Sequence, residues 1–415
     1  MVTDVTIRVT DLDEMYVDAR DRLHGTVDRG VDEAYALLGE TPGPTDQTTA
    51  AAQAGEAADP TGDSSGGHVG DSGSPSPTGP VVPARDCSPT LAPVDPDADG
   101  AARCLAETLD RWSAEGVMGV GQQVNISSDA WAEPLEELAP QQVAVVGFDL
   151  AELVDAAGHG KDWSLDLATL VADGAVLTAS WHAPNPWTGG GSFDTTGQGS
   201  LDQLLDEKSD AGRKFWKSWG KVLDQLALLQ DQNAGVLVRP LHEAGGSWFW
   251  WGRPDPATYR AVWTRMQEKA AEAGVHNLLW AYGAALKDWE GVDDPVSLVP
   301  ERVDLVGLDT YDCETPHPGC GTAGPDELAQ DRIDLTGYAE LAAVGPRVAL
   351  TEVGPHYSED GSWDPAVISS SLAGIGQSAA YAMLWFDDSG GLKQLSSLRG
   401  GRAWLESCPG GLCRQ

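Results

Sequence analysis

From about Cys87 onward, short continuous apolar runs alternate with longer amphipathic segments. The runs are GVMGVG (116–121), VAVVGFDL (143–150), GAVLTASWH (174–182), GVLVRPLHE (235–243), NLLWAYG (277–283), VDLVGLDTY (303–311), RVALTEVG (347–354) and YAMLWFD (381–387). A continuous rather than alternating run suits a strand covered on both faces, as in a parallel sheet. Helix-like segments lie between several runs, most clearly 201–232 and 256–274. The second carries Pro256 in its first turn and Gly274 after its end. Strands interleaved with helices in this number predict an α/β fold, a (β/α)8 TIM barrel, rather than an open doubly wound sheet. No dinucleotide or P-loop fingerprint follows the first strand. The Gly-rich WTGGGSFD (187–194) follows the third strand, lacks the Lys-Ser/Thr of a phosphate cradle, and reads as a loop bordering a cleft.

The chain before the barrel has a different texture. Residues 41–86, rich in Pro, Gly, Ser, Thr, Ala and Asp, cannot bury enough apolar surface to offset the entropy of ordering and are expected to form a flexible, disordered linker. Residues 1–40 read as a short N-terminal segment with no assigned role. The catalytic domain is expected over 87–415.

Composition narrows the chemistry. The formal charge of -38 argues against nucleic acid, whose phosphates need clustered Lys and Arg. No run is long and apolar enough for a membrane helix. A neutral polysaccharide fits better as partner, bound by a monomer. The chain holds 16 Trp against 5 Phe; Trp can stack on the apolar faces of sugar rings, although core packing is the ordinary use of any one of them. The even set Cys87, Cys104, Cys313, Cys320, Cys408 and Cys413 reads as disulfides in an oxidising compartment. Proximity favours Cys87–Cys104, Cys313–Cys320 and Cys408–Cys413, with other pairings open. Residues 1–36 are too charged for the apolar core of an export signal. A secreted location is therefore expected from the cysteines, the linker and the substrate alone.

In such a barrel, chemistry sits at the C-terminal ends of the strands. Those ends carry Trp181-His182, His242-Glu243, Asp309-Thr310-Tyr311, Thr351-Glu352 and Trp385-Phe386-Asp387. Glu243 and Glu352 end the fourth and seventh strands, which face each other across a barrel mouth. Glycoside hydrolysis needs such a pair, one carboxylic acid to protonate the leaving oxygen and one carboxylate to attack or to activate water. Trp187, Tyr282 and Trp289 are weaker candidates for outer sugar contacts, with packing at least as good an account of each.

At these ends the sequence resembles glycoside hydrolase family 26. RPLHEAGGSWFWWG (239–252) is similar to the family signature around its acid/base, LTEVG (350–354) to its nucleophile strand, and SWHAPNP (180–186) to its third-strand motif. VVGFDL (145–150) and the Trp385 strand fit in order, and the resemblance spans roughly 100–405. It implies a retaining enzyme, mostly endo-acting on β-1,4-mannans, with some relatives acting on mixed-linkage glucan or β-1,3-xylan. It further implies Glu243 as acid/base and Glu352 as nucleophile. His242 would bind sugar beside the acid/base, Tyr311 would stand near the nucleophile, Trp248 and Trp385 would shape the sugar site, and His182 would contact a glycone sugar. The AGG after Glu243 departs from the family, which often has a polar residue there. A retaining site predicts carboxyls about 5–5.5 Å apart, and burial among Trp248, Phe249 and Trp250 is expected to raise the pKa of Glu243.

Neither a metal nor a cofactor is expected. A metal-dependent barrel hydrolase using His182, His242, Glu243 and His356 is the rival reaction class, but no H-x-H follows the first strand. A sugar-binding pseudoenzyme is the non-catalytic alternative, opposed by the presence of both carboxylates.

Overall fold

The computed structural model describes residues 80–197, 199–286, 294–313 and 333–415. Residues 1–40, most of the linker 41–86, Trp289 and Cys320 lie outside them.

Each of the eight apolar runs contains a strand: β1 Val117–Gln123, β2 Val145–Asp149, β3 Val176–Trp181, β4 Val236–Pro240, β5 Leu278–Ala285, β6 Leu305–Cys313, β7 Val348–Tyr357 and β8 Tyr381–Leu384. Every consecutive pair is parallel, and β8 returns to β1, so the sheet closes into a barrel. One further strand, β9 Leu412–Arg414, runs antiparallel to the first residues of β1. The Cys408–Cys413 disulfide closes the turn before it. The Gln415 amide then grips both backbone groups of Ala379, at 2.6 and 2.8 Å.

The starts of the strands are plugged by the helix Gly100–Glu115. Asp99 caps it through the Ala102 N–H, and Gly116 ends it in the left-handed region at φ 62°. Its Ala102, Leu105, Leu109 and Trp112 pack against Val145, Val176, Leu237, Leu279 and Leu305. The Cys87–Cys104 disulfide ties the preceding segment to this helix. That segment follows the barrel floor: the Asn233 side chain donates to the Val82 carbonyl at 2.9 Å, and Arg347 donates to that of Leu91 at 2.8 Å. Residues 80–86, linker-like in composition, thus lie against the barrel.

The expected helical stretch 201–232 is two helices, Asp202–Leu205 and Asp210–Asp231. The break is local chemistry. Asp206 takes the Lys208 N–H on its carboxylate, and the Ser209 hydroxyl caps Gly212. The expected 256–274 is the helix Pro256–Glu272, with Asp255 as its cap. Several tryptophans fill the layer between strands and helices. Trp181 meets Phe215 and Trp219, and Trp280 meets Trp219 and Trp263, at centroid distances of 5.1–6.2 Å. Tyr282 belongs to this layer too, its hydroxyl donating to the Pro295 carbonyl. Among the described residues no helix is long and apolar enough to cross a membrane.

Candidate active site

β4 leaves the sheet at Pro240, and the next turn aims Glu243 into the barrel mouth. Leu241 (φ 49°) and Glu243 (φ 52°) both adopt the left-handed region, which costs a non-glycine residue about 1–3 kcal/mol. Hydrogen bonds hold the turn there. The Tyr259 hydroxyl donates to the Leu241 carbonyl, Trp251 Nε1 to the His242 carbonyl, and the Glu243 N–H to the Gly283 carbonyl, all at 2.8–3.0 Å.

Trp248 Nε1 donates to Glu243 Oε2 at 2.7 Å. An indole N–H only donates, so Oε2 is held as an acceptor and a carboxyl proton belongs on the other oxygen. The last glycine of AGG has a physical reason. A Cβ on Gly246 would stand 2.3–2.5 Å from the Trp248 ring, so glycine is what lets the indole fold back onto Glu243. Gly246→Ala should displace Trp248 and lower kcat/KM roughly 10²-fold, the scale expected for a misplaced catalytic group. Steady-state kinetics with a circular-dichroism check of folding reads this out. Trp250 does not line Glu243 in the expected way: it is fully buried, its Nε1 donates to the Ala183 carbonyl, and its ring packs on Phe215 and Trp187.

Glu352 enters from β7 through a bulge. Leu308 pairs with Leu350 but Asp309 pairs with Glu352, so Thr351 is the extra residue. Strand alternation would send Thr351 and Glu352 to opposite faces. The bulge instead lets both reach the interior, Thr351 to Asp309 and Glu352 to Arg239 and Tyr311. Glu352 Oε1 accepts from Arg239, and its Oε2 accepts from the Tyr311 hydroxyl at 2.5 Å. Both oxygens face donors, the surroundings of a charged carboxylate.

Arg239, fully buried on β4, is shared between Glu352 and Asp309, the latter at 2.7 Å. Gly283 makes room for it, since a Cβ there would stand 2.8 Å from the arginine Cδ and 3.3 Å from an Asp309 oxygen. One carboxylate oxygen from each of Glu243, Asp309 and Glu352 lies within 4.8 Å of the other two, and Arg239 bonds Asp309 and Glu352 as the cation. One guanidinium between two buried carboxylates leaves an excess of negative charge. Burial and the neighbouring Glu352 push Asp309 up to about 7. Burial, Asp309 and Glu352 raise Glu243 well above the ordinary carboxylate range, against the Trp248 hydrogen bond and Arg239, which act the other way.

The two histidines meet beside this group, ring centroids 4.8 Å apart. His242 is buried against Phe249 and Trp251. Burial, Arg239 and His182 hold its pKa well below the usual histidine value, so it is a neutral ring at working pH. His182 Nδ1 lies 2.8 Å from Asp149 Oδ2, which also receives the Ser180 hydroxyl and the His182 N–H. Burial would raise Asp149, but His182, the Ala151 N–H and Ser180 outweigh it and hold the carboxyl below its ordinary value. The pairing presents the opposite nitrogen, Nε2, away from Asp149. Trp385 lies 6.2 Å from the His182 ring and stacks on Phe386 at 4.9 Å. Beyond Phe386 opens a cavity of about 340 Å³, lined among others by Asn125, Trp131, Asp387 and Gln394.

All seven expected site residues therefore surround one mouth: Glu243, Glu352, His182, His242, Trp248, Tyr311 and Trp385. Trp187 is an anchored loop residue, its Nε1 bonded to Gln203 at 2.7 Å. His356 packs on Tyr311. Arg239, Asp309, Thr351 and Asp149 escape assignment from sequence; the available signal was a charged or polar residue set inside an apolar run.

A half-buried carboxyl, Glu152, lies three residues beyond β2 and accepts from the Ile126 N–H at 3.0 Å. Burial, with Asp149 adding repulsion, pushes it up to about 8. A folded-state pKa above the unfolded one means the native state binds the extra proton. Its contribution is intact below about 4.3 and is lost as pH rises toward 8, at up to about 1.4 kcal/mol per pH unit. Glu152→Gln should lose less thermal stability than wild type between pH 5 and pH 8, measured as Tm against pH.

An eight-stranded parallel barrel with a close carboxyl pair, aromatic walls and two histidines at its mouth has the build of a glycoside hydrolase. The model of glycosyl hydrolase family 26 matches residues 94–398, and the chain belongs to that family. It is similar to a mannan endo-1,4-beta-mannosidase of Bacillus subtilis (strain 168), 26% identical over 326 residues, covering 72% of this chain and 83% of that one. In structure it is similar to the Bacillus subtilis mannanase BCman, with TM-score 0.61 and 23% identity over 76% of this chain and 93% of that one, a likeness of fold. It is also similar to a double mutant of the Cellulomonas fimi endo-beta-1,4-mannanase, with TM-score 0.57 and 26% identity over 73% of each chain.

Proposed function

We propose that this glycoside hydrolase cuts β-1,4-mannosidic bonds within mannan-type polysaccharides, with Glu352 as nucleophile and Glu243 as acid/base. The observation that carries the mechanism is the carboxyl pair with one oxygen of each within 4.8 Å of the other, which supports the roughly 5–5.5 Å separation of a retaining site over the roughly 6.5–9.5 Å that leaves room for water in an inverting one. Their surroundings differ in the required sense. Glu243 is held protonated by burial and negative neighbours, whereas Glu352 is met by Arg239 and Tyr311. Glu352 attacks the anomeric carbon as Glu243 gives its proton to the departing oxygen, leaving an α-linked glycosyl ester. Glu243, now a carboxylate, takes a proton from water, which displaces Glu352 and restores the β-configuration.

His182, oriented by Asp149, and the neutral His242 bind sugar hydroxyls, with Trp385 and Trp248 shaping the sugar site. The cavity beyond Phe386 holds further sugar units. Mannan as substrate is supported by the names of the relatives, each described as acting on it. The disulfides Cys87–Cys104 and Cys408–Cys413 support action outside the cell, and we infer a monomer. Reducing-end release from mannan, galactomannan, mixed-linkage β-glucan and β-1,3-xylan tests the substrate. Highest kcat/KM on a mannan is expected; a preference for glucan or xylan would overturn that part and leave the mechanism standing.

A further inference from the structure

The loop after β8 folds back over the mouth and fastens to the chain just after β7. Its turn is closed by Asp388 and Gly391, and Ser358 pairs with it through the Gly390 carbonyl and the Leu392 N–H, at 3.1 and 2.8 Å. Gly391 is needed at that contact: its φ is 112°, and a Cβ would stand 1.9 Å from the Ser358 carbonyl oxygen. From this turn Lys393 points inward and is 5% exposed. Its ammonium bonds Asp388 at 2.9 Å and lies 5.9 Å from the centroid of the Tyr311 ring. Burying a lysine is costly, and an anchor for a surface turn does not require it. The ring it reaches is the one whose hydroxyl donates to Glu352.

We propose that Lys393 is a positioning residue for the reaction, holding the Tyr311 ring in place and strengthening the donation of its hydroxyl to Glu352. A cation on the face of a phenol ring draws electron density from the ring and makes the O–H a better donor. Asp388 fixes the ammonium over the ring rather than out in the cleft. The charged and titratable groups around this line are Asp387 and Asp388 on the loop, His356 from β7, Arg239 from β4, Asp309 from β6 and Glu243 beyond β4. The inference rests on the reading of Glu352 as nucleophile.

The test is a double-mutant cycle between Lys393→Met and Tyr311→Phe, followed by kcat, KM and the pH profile of kcat/KM on an aryl β-mannoside. Lys393→Met should lower kcat about tenfold with KM little changed, and should move the acid limb of kcat/KM to higher pH. In the Tyr311→Phe background both effects should vanish, and Lys393→Arg should restore most of the rate. If Lys393→Met does not fold, the pair Lys393→Met with Asp388→Asn, which removes the Asp388 charge along with its partner, takes its place in the cycle. Additive losses, or a change confined to KM, would overturn the proposal. An active Tyr311→Phe with an unchanged kcat would overturn it too, whereas failure to trap a glycosyl ester on Glu352 would count against the nucleophile reading itself.

Discussion

Glu352→Ala should lower kcat on mannan oligosaccharides by on the order of 10⁵–10⁶-fold, the scale seen when a nucleophile is removed. The loss should be chemical rather than structural. In the native protein Arg239 serves two buried carboxylates, and without Glu352 it is left one-to-one with Asp309. The variant's Tm at neutral pH should therefore stay near or above that of wild type, because Asp309, now pushed up to about 7, loses the neighbour that repels it. Azide added to the variant with an activated aryl mannoside should occupy the vacated space and yield an α-glycosyl azide. A β-azide would contradict the role given to Glu352.

Glu243→Ala is the second large effect, and its size should depend on the leaving group. On mannan, where the departing hydroxyl needs a proton, kcat should fall about 10²–10⁴-fold. On an aryl mannoside with a good leaving group, formation of the glycosyl ester should be nearly unchanged while its hydrolysis slows, so a burst of phenol precedes a slow steady state. Azide should restore turnover and give the β-glycosyl azide. Equal losses on both substrates would contradict the acid/base role. The pH profile belongs to the same argument: with Glu243 held well above the ordinary carboxylate range, the alkaline limb of wild-type kcat/KM lies far above that of a free carboxyl and disappears in the variant.

The barrel was legible because its strands are buried on both faces, which writes each as an unbroken apolar run that needs no partner to be recognised. The carboxyl pair was legible because strand ends are where a barrel places chemistry. Features set by distant pairing were not. Arg239 looks like a flaw in the run GVLVRPLHE until Asp309 and Glu352, 70 and 113 residues away, are seen around it. The bulge at Thr351 depends on register with β6, which strand periodicity cannot express. β9, at three residues, is too short to carry a pattern, and its place beside β1 depends on the Cys408–Cys413 loop and the Gln415 clasp. The need for glycine at 246, the approach of Trp248, is a matter of three-dimensional space.

The most direct test of the central claim is to trap the glycosyl-enzyme. Incubation with a 2-deoxy-2-fluoro-mannosyl donor bearing an activated leaving group, followed by intact mass and peptide mapping, should show a single adduct on the β7 peptide at Glu352, lost slowly as water turns it over. No adduct, or a label on Glu243 or Asp309, would contradict the account.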